Sequence, residues 1–216
     1  MITANYTSKL RTSQHEQGFT IVELMIALSV MAVVLVISTV VLINLGLLFT
    51  KGTNQAKTQN TTRNITNELA SQLEIGNANP LVPGGNVICF GSQRYTFQLN
   101  HELTNSSTDH VLWRDTMSNN ATCIPLRLSA AVPFDGLTVA GSGSELVLPN
   151  MELTDFAVAV PPATPVGVYS IKVTVAYGDP TQLVIARGKT SCLGGPGTQY
   201  CAVSSLTQNV ARRSIN

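Results

Sequence analysis

Few residues in this chain are placed for chemistry, and the most telling is a carboxylate. Glu23 stands in the stretch Gln17-Gly18-Phe19-Thr20-Ile21-Val22-Glu23-Leu24-Met25. It heads 27 consecutive residues, 24–50, without one ionisable side chain. A carboxylate in a spanning helix costs about 2.5–3.5 kcal/mol at the bilayer centre and less near its edge, so it calls for a cation. No Lys or Arg lies one helical turn away. A cut between Gly18 and Phe19 would supply one, because the new α-amine would stand four residues before Glu23. That amine would neutralise the carboxylate within one chain or from a neighbour.

The other reactive side chains are the four cysteines, Cys89, Cys123, Cys192 and Cys201. None forms a CxxC pair, which argues against zinc and thioredoxin-like redox chemistry and for two disulfides in an oxidising compartment. Three pairings exist in principle. The short loop 193–197 favours Cys192 with Cys201, which leaves Cys89 with Cys123. The three histidines, His15, His101 and His110, complete no zinc-protease spacing. No phosphate-binding glycine loop or nucleophile elbow occurs, and Asp109, Asp115, Asp135 and Asp155 are too dispersed for a calcium loop. No catalytic residue, metal or cofactor is therefore expected. Arg187, Lys189, Arg212 and Arg213 are the only basis for contact with DNA, and a formal charge of +1 gives it little support.

The elements that must carry these residues follow from patterning. Only 12% of residues are charged, which excludes a disordered chain and is unusual for an ordinary cytosolic domain. As a helix, residues 24–50 extend about 40 Å, more than the ~30 Å hydrocarbon core of a bilayer. The run is too long for a secretory signal and lacks a small-residue cut site at its end, so it reads as an anchor. Positive charges flank it on both sides, leaving the disulfides to place the C-terminal part outside the cytoplasm. Helical spacing of Ala56, Ile65, Leu69 and Leu73 extends the helix amphipathically to about residue 75, where Gly76 and Pro80 end it. Beyond Pro80 come short alternating runs at 87–90, 94–99, 111–114, 122–128, 137–140, 145–148, 153–160, 168–177 and 182–186. The turn Gly178-Asp179-Pro180 suggests that 182–186 folds back on 168–177 as a hairpin. The expected fold is α+β, one long helix with an antiparallel β-sheet head.

The stretch Gly18-Phe19-Thr20-Ile21-Val22-Glu23-Leu24, at the start of so long an apolar helix, resembles the leader junction of type IV prepilins and pseudopilins. The resemblance covers about residues 17–45. It implies a leader at 1–18, a transmembrane and filament-core helix at 19–50, an amphipathic continuation at 51–76 and a disulfide-bearing head at 77–216. It implies that prepilin peptidase requires Gly18, cuts before Phe19 and methylates the Phe19 amine. Glu23 would then attract the Phe19 amine of an adjacent subunit and set axial register. The loop closed by Cys192 and Cys201 resembles the C-terminal disulfide region of type IV pilins. Ile21 stands where the family more often has Leu or Thr, and the leader is longer than in many type IVa prepilins.

On this resemblance the chain is a non-enzymatic filament subunit, a minor pilin by the size of its head. The alternatives within the class are a pseudopilin of type II secretion or of DNA uptake. The partners implied are the peptidase, other pilin subunits, the inner-membrane assembly platform and the membrane, with DNA or a surface ligand unsupported. The location implied is the cytoplasmic membrane with the head outside the cytoplasm, then a periplasmic or cell-surface filament. A membrane-anchored envelope enzyme or receptor is the reading from another class, and it requires an uncut N-terminus.

Overall fold

The computed structural model describes residues 18–75, 80–104, 109–118, 122–126, 128, 143–159, 168–186, 188–195 and 197–212. Residues 1–17 of the expected leader, the expected strand at 137–140, Asp135, Arg187 and Arg213 lie outside the described residues. Two compact units are present, residues 1–45 and 46–216. The first holds the opening of helix α1 (Ile21–Ile75), a 55-residue helix.

Residues 46–75 of α1 belong to the second unit and have one buried face. Ile65, Leu69, Ala70 and Leu73 sit in the main hydrophobic core. The preceding turns bury Asn54, Thr58, Thr61, Thr62 and Thr66 instead. Ala56 is exposed, contrary to the apolar stripe expected from spacing. The helix is rotated so that threonines face inward there. The hydroxyls of Thr58, Thr62 and Thr66 each donate to the carbonyl four residues back at 2.8 Å, and that of Thr62 also reaches the Ser204 carbonyl across the interface at 3.5 Å.

Among the described residues nine strands follow: β1 (Val87–Phe90), β2 (Gln93–Phe97), β3 (Leu112–Thr116), β4 (Ser144–Glu145), β5 (Met151–Ala159), β6 (Val168–Tyr177), β7 (Leu183–Ala186), β8 (Lys189–Cys192) and β9 (Ala202–Ala211). They form three antiparallel sheets, β1-β2-β3-β4, β5-β6-β9 and β7-β8. The fold is α+β, as the patterning indicated. The first two sheets share one core with the helix. Ile88, Phe90, Tyr95, Phe97 and Leu112 come from one sheet, and Leu153, Phe156, Ile171, Val173 and Val175 from the other.

Two expectations fail. Segment 182–186 does not return onto 168–177: β6 is already flanked by β5 and β9, and β7 pairs with β8. A 3-10 turn at Pro180–Gln182, capped by the Asp179 side chain accepting from the Thr181 amide at 2.8 Å, redirects the chain. Residues 122–126 are not a strand. Pro125 has no N–H to give a ladder, and the segment instead lies as a strap over the outer face of the four-stranded sheet. There the Arg94 guanidinium donates to the Ile124 carbonyl at 3.1 Å, and the Leu126 amide donates to the Thr96 hydroxyl at 3.2 Å. The His110 amide donates to the Leu128 carbonyl at 3.0 Å. Trp113, Leu126 and Leu128 form a small buried cluster beneath it.

Candidate functional site

The helix start is built by Thr20. Its hydroxyl accepts the Glu23 amide at 3.2 Å and its carbonyl accepts the Leu24 amide at 3.2 Å. Thr20 is thus the N-cap and Glu23 the third helical residue, the Thr-x-x-Glu spacing of a capping box. Sequence reasoning gave Thr20 no role, although that spacing is the signal for one. Because the helix begins after the cap, Gly18 and Phe19 precede it in non-helical backbone. Phe19 is 82% exposed. A Cβ added at Gly18 would meet nothing within 4 Å, so nothing in the described chain demands glycine there. Among the described residues, no ion pair reaches Glu23.

The helix that follows presents its apolar side chains on every side. Each large hydrophobic residue from Ile21 to Phe49 is exposed. A helix apolar all round is stable only when lipid or other helices cover it, and residues 21–49 are long enough to cross a bilayer. Membrane anchoring follows from this surface and length.

Cysteines lie where they fasten the head. Cys89 on β1 is joined to Cys123 on the strap, and Cys192 at the end of β8 to Cys201 just before β9. Within the head, charged groups serve the scaffold. Glu68 of α1 accepts from the Tyr95 hydroxyl at 3.0 Å and from Arg114 at 2.8 Å, which locks helix to sheet. Burial, then the charge and hydrogen bond of Glu68, push the Tyr95 phenol far above its ordinary pKa, so it remains a neutral donor. Arg94 forks onto Asp115 across β2 and β3, with contacts of 2.9 and 2.5 Å. Lys172 pairs with Asp155 at 2.5 Å.

The Glu145 carboxylate accepts the amides of Val111, Leu112 and Val147 at 2.9–3.1 Å. Burial would raise Asp109, but hydrogen bonds from the Thr104 hydroxyl and amide and from His101 outweigh it and hold the carboxyl below its usual range. Of the cations weighed for DNA, Lys189 is on β8 and Arg212 follows β9. Among the described residues, no group of three or more His, Cys, Asp or Glu side chains is arranged to hold a metal.

Residues 13–39 match the family model described as the prokaryotic N-terminal methylation motif. The match spans Gly18, Phe19, Thr20 and Glu23 and ends within the apolar part of α1. No protein of curated function and no solved structure matches the chain.

Proposed function

We propose, for a chain that is type IV pilin-like in its N-terminal motif, long apolar helix and antiparallel sheets, that it is a non-enzymatic minor pilin of a type IV pilus-like filament. Prepilin peptidase removes residues 1–18 and methylates Phe19. Residues 19–50 hold the protein in the cytoplasmic membrane and later form the filament core. Residues 51–76 continue the helix, and residues 77–216 form the head outside the cytoplasm. The inner-membrane assembly platform and other pilin subunits are its partners.

One observation carries this reading: a carboxylate with no ion-pair partner among the described residues, at the first turn of an exposed apolar helix, four residues after an exposed, non-helical Gly18–Phe19 junction. Cleavage creates a cation there. In low dielectric an unpaired carboxylate is costly and a paired one tolerable, so an incoming subunit is favoured where its Phe19 amine meets Glu23. The open space around Gly18 supports recognition of glycine by a second protein rather than by this chain.

Mass spectrometry of the native product tests the cut, with methylated Phe19 expected as the first residue. Gly18→Leu should leave full-length precursor in the membrane, while Glu23→Ala should be cut normally but be lost from filaments. A native product still starting at Met1, or normal filament content of the Glu23→Ala protein, overturns the corresponding step.

A further inference from the structure

The Cys192–Cys201 loop is held beside the point where the apolar run stops. Asn54 donates its side-chain amide to the Gln199 carbonyl at 3.3 Å, and Gln55 to the Val203 carbonyl at 3.4 Å. Both anchors fall within about one helical turn of Lys51. A groove of about 640 Å³ separates Lys51 and Gln55 from Leu193, Gly194 and Gly195. All of these residues belong to the unit 46–216. The loop exposes Leu193 at 51% and Tyr200 at 52%, and the helix face that meets it exposes Leu48 at 66%. Its shape is set in advance by the disulfide, nine residues apart in sequence. Close backbone approach adds to this, since a Cβ at Gly178 (φ +118°) would stand 2.6 Å from the Tyr200 carbonyl oxygen.

The uncharged run of 27 residues, about 40 Å as a helix, equals the thickness of a bilayer with its headgroups, about 40–45 Å. Lys51, the first charge after that run, therefore falls in the headgroup layer on the side from which the head emerges. On the membrane-held state proposed above, we infer that the Cys192–Cys201 loop docks on the lipid surface from which the head emerges. Lys51 meets anionic headgroup phosphates. Leu193 and Tyr200 enter the interfacial layer, where a side chain with an apolar body and a polar tip is favoured. The helix face that meets the loop runs back into the apolar run through Leu47, four residues before Lys51, and Leu48, seven before Gln55, and the cation at its edge matches the sign of an anionic leaflet.

The test uses the full chain carrying Tyr200→Trp, with Trp113 retained, in vesicles of phosphatidylcholine and phosphatidylglycerol. Half of the preparations contain lipid brominated high on its acyl chains. A side chain about 5–10 Å into the interface touches those bromines, so the added emission should fall by about half or more. Wild-type emission, from buried Trp113 alone, should scarcely change. Leu193→Trp provides a second reporter, and Lys51→Glu combined with Tyr200→Trp should weaken the quenching. Emission from Trp at 200 and at 193 that is as bright with bromine as without overturns the docking. A chain that washes off the vesicles at alkaline pH overturns the membrane-held reading instead.

Discussion

Removing the Cys89–Cys123 bridge by Cys89→Ala with Cys123→Ala should release the strap over the four-stranded sheet. The two residues are 34 apart in sequence. Loop-closure entropy for a loop of that length corresponds to about 4 kcal/mol, against about 2.5 kcal/mol for the nine-residue separation of Cys192 and Cys201. Among the described residues, the other ties of the strap are three hydrogen bonds and the cluster of Trp113, Leu126 and Leu128. Such hydrogen bonds contribute about 1 kcal/mol each, too little to restrain a long open loop alone.

The reporter is built in. Trp113 is the sole tryptophan and is 9% exposed under the strap. In detergent, the double variant should show red-shifted emission and greater acrylamide quenching before the head unfolds. Its urea midpoint should fall by roughly 2 M, from an m-value of about 2 kcal/mol/M. Unchanged quenching and a midpoint within about 0.5 M of the wild type would refute the claim that the disulfide holds the strap.

Two further substitutions probe the head. Glu68→Ala leaves the buried Tyr95 hydroxyl without its acceptor and Arg114 without its partner. A loss of about 1–3 kcal/mol is expected in denaturant titrations, mostly from Tyr95 because the ion pair is partly exposed, and Glu68→Gln should lose less. Glu152 is 4% exposed, and burial, then the charge of Glu102, raise its carboxyl above the ordinary 4.5 despite the opposing His101. A raised carboxyl contributes stability that is full below pH 4.5 and lost as pH rises through the folded value. Glu152→Gln should therefore flatten that part of the pH profile and be more stable than the wild type at pH 7. Thermal melts across that range check it, and a less stable glutamine variant at neutral pH would count against the assignment.

What the sequence made legible was whatever a strong period or a long run encodes. Residues 168–177 alternate cleanly because Tyr169, Ile171, Val173 and Val175 all enter the core, and β6 has those bounds. The apolar helix needed only its uncharged run. Strand β9 was missed because half of its residues are Ser, Thr, Gln and Asn, with only Ala202 and Val210 buried. Its place comes from pairing with β6 along ten residues, a tertiary cause that local propensity does not encode. The strap was misread as a strand because Ile124, Leu126 and Leu128 alternate. Leu126 and Leu128 do pack, but on Trp113 and not in a ladder. At the N-terminus, Glu23 stood out by charge and position, while the roles expected of Gly18 and Phe19 came from the resemblance. Thr20 was overlooked because its spacing to Glu23, the signature of a capping box, was passed over in favour of the charge.

The inward threonines of α1 have a mechanical consequence. From residue 54 to 62 the helix meets the head through short polar side chains, and leucine and isoleucine take over from 65 to 73. Adhesion per turn is therefore lower at the end nearer the apolar run. A tug along the helix would loosen the threonine turns first, giving the subunit a compliant collar above a firm root.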